Sequence, residues 1–142
     1  MMLEMTVENV RIQSKTGRQF VVLQDSNHNR RLSIEIGQSE AFAIGMALPG
    51  SSSLIRPQTH DLLKSMLEGL DAKPLQVLVT QVVDGIFYAK IILEMAERQL
   101  EFDSRPSDAF ALAVRTQTPI FVKEDVLEQA YNNEIGQEQK PS

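Results

Sequence analysis

Two short runs combine residue types that can hold a phosphate and move a proton: Arg56-Pro57-Gln58-Thr59-His60-Asp61 and Arg105-Pro106-Ser107-Asp108. Each sets an arginine, a proline, a hydroxyl and a carboxylate at the expected start of a helix. Proline suits a first helical turn, where its missing N–H has no intrahelical partner to lose. The free N–H groups and the positive dipole end of such a turn attract anions. Arginine adds a forked donor that matches phosphate. Arg56, Thr59, Arg105 and Ser107 are therefore candidate ligands for a phosphodiester.

His60, next to Asp61, has the side chain of a general base able to activate water or a sugar hydroxyl. His28, in a turn-rich stretch, is a weaker candidate. Carboxylates offer a second route. Asp103 closes a predicted strand, Asp108 falls in the first turn of the next helix, and Glu40 opens an earlier one. Converging, the three would suit magnesium or manganese, which prefer oxygen ligands. A two-metal nuclease needs several such groups around ions roughly 3.5–4 Å apart. The candidate catalytic set is thus His60, Asp61, Asp103 and Asp108, with Glu40, Asp103 and Asp108 as candidate metal ligands. A purely structural account uses the same residues. Thr59 and Ser107 can cap helices, Asp61 and Asp108 can complement helix dipoles, and the arginines can pair with carboxylates.

Other chemistries lack their residues. The chain has no cysteine, which excludes thiolate nucleophiles, disulfides and thiolate zinc sites. Its two histidines, His28 and His60, cannot give His-x-x-x-His spacing. There is no glycine-rich phosphate loop and no G-x-S-x-G elbow. With no Trp and two Tyr, there is little aromatic surface on which to stack bases.

The elements that must position these groups are legible in outline. Residues 5–13 alternate as an edge strand with one slip, the mark of a bulge. Residues 20–36 read as a hairpin through Phe20-Val21-Val22-Leu23 and Leu32, Ile34 and Ile36. Ser39 caps a helix that Pro49-Gly50 stops, and Thr59 caps a second. In the second, Leu62, Leu63, Met66, Leu67 and Leu70 form a 3.6-period stripe. Asp84-Gly85 joins two β-rich runs, 75–83 and 86–95. A short strand at 100–102, a helix from Ser107 to about Thr116, a strand at 119–122 and a helix from Glu124 to about Tyr131 complete the order. Strands cluster in hairpins, which predicts an α+β fold: a mixed, largely antiparallel sheet with about four helices packed on it. Residues 1–131 form one domain in this reading, and the polar residues 132–142 a disordered tail.

With 142 residues the chain can bury one proper core. Its net charge is −5, whereas proteins that bind nucleic acid through phosphates are usually basic. The charge is uneven. Residues 1–31 carry five basic and three acidic side chains, net +2, with Arg11, Lys15, Arg18, Arg30 and Arg31 as the cations. These form either a binding face or a strand edge protected by charge. No apolar run approaches the roughly 18–20 residues of a membrane span. Met1-Met2-Leu3-Glu4-Met5 lacks signal-peptide features, so a cytoplasmic location is expected.

Three blocks resemble the bifunctional nuclease domain family: Ile36-Gly37 with Glu40-Ala41; Arg56-Pro57 with Thr59-His60-Asp61-Leu62-Leu63; and Asp103-Ser104-Arg105-Pro106-Ser107-Asp108-Ala109 with Ala111-Leu112-Ala113 and Arg115. Gly85, Phe87-Tyr88-Ala89 and Pro119-Ile120 continue the match in register, over about residues 5–131. Ser104 and Phe110 stand where the family often has alanine and isoleucine. The resemblance implies cleavage of DNA and RNA. The alternative is a non-enzymatic, oligomeric binding or regulatory domain, favoured by the acidic charge and the sparse aromatics. A homo-oligomer is expected, a dimer first, with Ala109, Ala111 and Ala113 permitting close helix packing.

Overall fold

The computed structural model describes residues 1–25, 30–51 and 56–138, with side chains described only as far as residue 131. His28 and residues 139–142 lie outside the described residues. The elements run β1 (Met2–Ile12), β2 (Gln19–Gln24), β3 (Arg31–Ile36), α1 (Gln38–Gly45), α2 (Thr59–Gly69), β4 (Lys73–Val83), β5 (Ile86–Met95), β6 (Arg98–Ser104), α3 (Pro106–Thr116), β7 (Ile120–Lys123) and α4 (Glu124–Glu138). The predicted α+β class is the observed one. A seven-stranded sheet has the order β3-β2-β1-β7-β4-β5-β6. All its pairings are antiparallel except β4 with β7.

Local signals account for several joints. Asp84 and Gly85 both adopt positive φ, the geometry of a two-residue hairpin turn that follows strand twist. The slip in β1 is a bulge between Val7 and Asn9, opposite β2. β1 itself, however, is an interior strand. β7 returns from the far end of the chain to pair with both β1 and β4, so the edges are β3 and β6. α4 continues to Glu138 rather than ending near Tyr131.

α3 is the hub. It packs on β4 and β5 and carries α1 and α2 on its other sides. Ala109, Ala111 and Ala113 are buried and let these neighbours approach, and Phe110 is fully buried among Val77, Val79, Ala89 and Ile91 of the core. A phenyl ring removed from water in this way is worth about 3 kcal/mol. α2 lies on α3, so only one side of it is covered. Leu67 reaches the core, but Leu62, Met66 and Leu70 stay 54%, 55% and 57% exposed. The apolar stripe of α2 is therefore largely a surface. No helix among the described residues is long and apolar enough to cross a membrane.

Candidate active site

Three helix starts meet beside the β1–β2 end of the sheet. α3 begins at Pro106, so Arg105 is its N-cap residue and Asp108 lies in its first turn. Asp108 accepts three hydrogen bonds: from Arg105 Nε at 2.8 Å, from Arg105 Nη2 at 3.1 Å and from His60 Nε2 at 3.0 Å. Arg105 also reaches α1, where Nη1 lies 3.3 Å from Glu40 Oε1. Glu40 folds back over Gly37. A Cβ at Gly37 would stand 2.9 Å from Glu40 Oε1, so the missing side chain makes room for this carboxylate.

Glu40, Arg105, Asp108 and His60 thus form one connected chain of charges and hydrogen bonds across α1, α3 and α2. They help line an open groove of about 1030 Å³, with Thr59, Gln58 and Phe42 in its other walls. Hydrogen bonds from Arg105, foremost, hold the Asp108 carboxyl below its usual range, with His60 adding to the effect and partial burial opposing it. Asp108 is therefore an anion at neutral pH, and His60 Nε2 must carry the proton between them. The other ring nitrogen, Nδ1, is buried without a partner among the described residues. His60 as a whole is 9% exposed. Its contact with the site is through Nε2 alone.

The remaining candidates divide. Thr59 is exposed in the groove wall at the first residue of α2. Asp61 points the other way. It accepts from the backbone N–H of Gln58 at 2.9 Å and from Arg115 Nε at 2.7 Å, so it ties the start of α2 to the end of α3. Those two bonds, the backbone one first, hold its carboxyl below the usual range. Arg56 is not brought to Arg105. It lines a neighbouring pocket of about 430 Å³ with Asp61, Lys64 and Arg115. Ser107, a candidate phosphate ligand or helix cap from the sequence, is buried in the first turn of α3, and Arg105 holds the cap position.

The carboxylates do not assemble as metal ligands. Asp103 pairs in register with Lys90, and strand alternation sets both on the face opposite core residues Ala89 and Ile91. Glu40 and Asp108 both face the Arg105 guanidinium, which takes the place a cation would hold between them and offsets one of their two charges. No three His, Asp or Glu side chains among the described residues are placed to share an ion. The donor set does not fit a magnesium or manganese centre.

The basic N-terminal segment resolves mainly as charge pairing. Arg18 binds Glu35, Arg31 binds Glu8 and Arg30 binds Asp25. Sequence reasoning passed over Phe42 and Gln58 in the groove and did not foresee the approach of Glu40 to Gly37. Only the Gly37 spacing left a trace, inside a family-like block.

Fold and site together define an α+β domain whose open groove joins an arginine, two carboxylates and a histidine at helix starts. The profile of the bifunctional nuclease domain matches residues 21–134, and the chain belongs to that family. An uncharacterised protein of Mycobacterium tuberculosis is 36% identical over 127 residues, covering 89% of this chain and 75% of its own length. Bifunctional nuclease 1 of Arabidopsis thaliana is 32% identical over 80 residues, 54% of this chain and 25% of that protein. Bifunctional nuclease 1 of rice is 31% identical over 81 residues, 55% of this chain and 24% of that protein.

Proposed function

We propose that this protein hydrolyses phosphodiester bonds in DNA or RNA at the groove floored by His60, Asp108, Arg105 and Glu40. One observation carries the reading: within a chain of the bifunctional nuclease family, a single exposed guanidinium is shared between two carboxylates and a histidine-bound site. Arg105 exchanges Glu40 for a non-bridging phosphate oxygen, to which its planar fork is matched. The Glu40 carboxylate is then free to take a proton from the attacking water, whose oxygen forms the new bond to phosphorus while the bond to the leaving sugar oxygen breaks and that oxygen takes its proton from solvent in the open groove. His60 donates Nε2–H to Asp108, and Asp108 in turn fixes Arg105 from below. Thr59 adds a hydroxyl donor to the phosphate. No step is routed through a metal held by this chain.

The test is cleavage of single-stranded DNA and RNA by highly purified protein, with and without chelator. Wild type cleaves and Asp108→Asn does not. Equal activity in the two would place the cleavage elsewhere and end this assignment. The chelator arm decides whether a cation carried by the substrate takes part.

A second reading has its own observation, the exposed Leu62–Met66–Leu70 stripe on α2. Surfaces of this kind mark contacts with partners. In this reading the chain is a homo-oligomer, a dimer first, acting as a binding or regulatory domain. Light scattering on the eluting protein measures its mass directly, and a monomer without affinity for anions argues against it.

A further inference from the structure

The neighbouring pocket has no part in the chemistry above, yet it is built like an anion site. Arg115 forms its floor. Its side chain is 6% exposed, with Nε on Asp61 and Nη1 on the Ala111 carbonyl oxygen at 2.9 Å, which leaves Nη2 without a partner among the described residues. Arg56 stands at the rim, its guanidinium with no hydrogen bond or ion pair among the described residues. Lys64 approaches from the next turn of α2, its one ion pair among the described residues being with Glu68 at 3.9 Å, a distance that leaves its proton donors free. Among the lining residues Asp61 is the one acid, so the pocket carries two excess positive charges in a chain of net charge −5. An acidic protein that gathers three cations around one hollow spends electrostatic energy against its own pairing needs, unless an anion completes the set.

The position adds the second half of the argument. Gln58 belongs to the walls of both the groove and this pocket. A strand leaving Arg105 across Gln58 meets Arg56, Lys64 and Arg115 next.

Resting on the nuclease reading above, we infer that the Arg56–Lys64–Arg115 pocket binds a phosphate of the nucleic acid strand flanking the one to be cleaved. The substrate is then a strand with at least one phosphate beyond the scissile one, and affinity rises when that phosphate is present. Arg115 is the preorganised element, because Asp61 already fixes its plane. Arg56 and Lys64 close on the ligand.

The experiment is equilibrium binding of a fluorescein-labelled 12-nucleotide phosphorothioate single strand, which keeps the backbone charge and resists hydrolysis, across a salt series. Arg56→Ala with Lys64→Ala, both away from the packed core, should weaken binding about tenfold. Each lost phosphate contact should also reduce the slope of log affinity against log salt by about 0.7. Lys90→Ala with Lys123→Ala removes the same charge elsewhere and leaves the slope unchanged. An unchanged affinity and slope in the Arg56/Lys64 variant overturns the inference while leaving cleavage at Arg105 standing. Equal losses in both double variants also overturn it, as a net-charge effect. Binding that depends on Arg56 and Lys64 in a protein that cleaves nothing keeps the pocket and removes the nuclease reading. Wild type that binds no strand overturns the inference.

Discussion

Gly37→Ala perturbs one carboxylate of the site and almost nothing else. The backbone there has φ −77° and ψ 169°, which alanine adopts without strain. The new Cβ would stand 2.9 and 3.1 Å from the two Glu40 oxygens, where ordinary contact begins near 3.4 Å. The carboxylate must retreat by about 0.5 Å, and its 3.3 Å bond to Arg105 is already near the outer limit of an N–H···O interaction. That bond breaks, while the Arg105–Asp108 and His60–Asp108 bonds remain. The stability terms are small and opposed. An exposed pair is worth about 0–1 kcal/mol. Losing glycine's freedom in the unfolded chain gains about 0.4–1 kcal/mol, and alanine is the poorer residue at the helix N-cap. The net change stays within about 1 kcal/mol, a shift of a few degrees in Tm. Cleavage of a quenched fluorescent oligonucleotide should fall about tenfold, or roughly 1.4 kcal/mol in the barrier, matching Glu40→Gln. Full activity in Gly37→Ala beside a loss in Glu40→Gln would refute the reasoning, because the position of Glu40 would then not matter. So would a variant that fails to fold.

Asp108→Asn removes the negative charge and one of the two acceptor oxygens that hold Arg105 and His60, and cleavage should drop at least a hundredfold with a Tm lowered by only a few degrees; unfolding at room temperature would show a structural rather than chemical role. Asp61 binds its proton more weakly folded than unfolded, because Gln58 and Arg115 stabilise the anion. Its contribution is thus complete above the ordinary carboxylate range near pH 4 and is lost as pH falls through the lower folded value. Urea midpoints should therefore show Asp61→Asn less stable than wild type at pH 7, with the gap closing towards pH 3; a gap that persists at pH 3 contradicts this. On the oligomeric reading proposed above, Leu62→Lys with Met66→Lys should lower the mass seen in light scattering from dimer to monomer, with each substitution changing stability by less than about 0.5 kcal/mol; a mass equal to that of wild type counts against α2 as the contact surface.

How far the sequence reached depended on whether a feature was local. Asp84-Gly85 and Pro106 carry their geometry in their own backbone preferences, so the hairpin and the start of α3 were readable. The place of β1 was not. It is interior only because β7, over a hundred residues later, inserts between it and β4, and nothing near Met5 or Val7 encodes that. The α2 stripe shows a related limit: periodicity reveals an apolar face but not what covers it. Asp103 and Asp108 looked like one site because they are close in sequence. A strand-to-helix junction turns the chain between them, and the alternation of β6 sends Asp103 to the other face. The two Arg-Pro runs suggested a single phosphate site, yet Gln58 separates them into adjoining hollows.

Structural and chemical roles can now be separated within one turn of α2. His60 and Asp61 are neighbours, yet they engage opposite ends of α3, at Asp108 and Arg115, which lie about 10 Å apart along the helix. Asp61 ties the start of α2 to the end of α3 through the Gln58 backbone N–H and Arg115. Capping and ion pairing explain Asp61. His60 is different. Its Nδ1 is buried with no partner among the described residues, a defect that costs on the order of 1–3 kcal/mol. An apolar side chain of similar size would fill the same space without that cost. Buried polar groups left unsatisfied concentrate where a fold gives up stability for function. The defect at His60 sits one hydrogen bond from Asp108 and two from Arg105, on the floor of the groove. Asp61 positions the turn, and His60 is the residue in it whose presence packing alone does not explain.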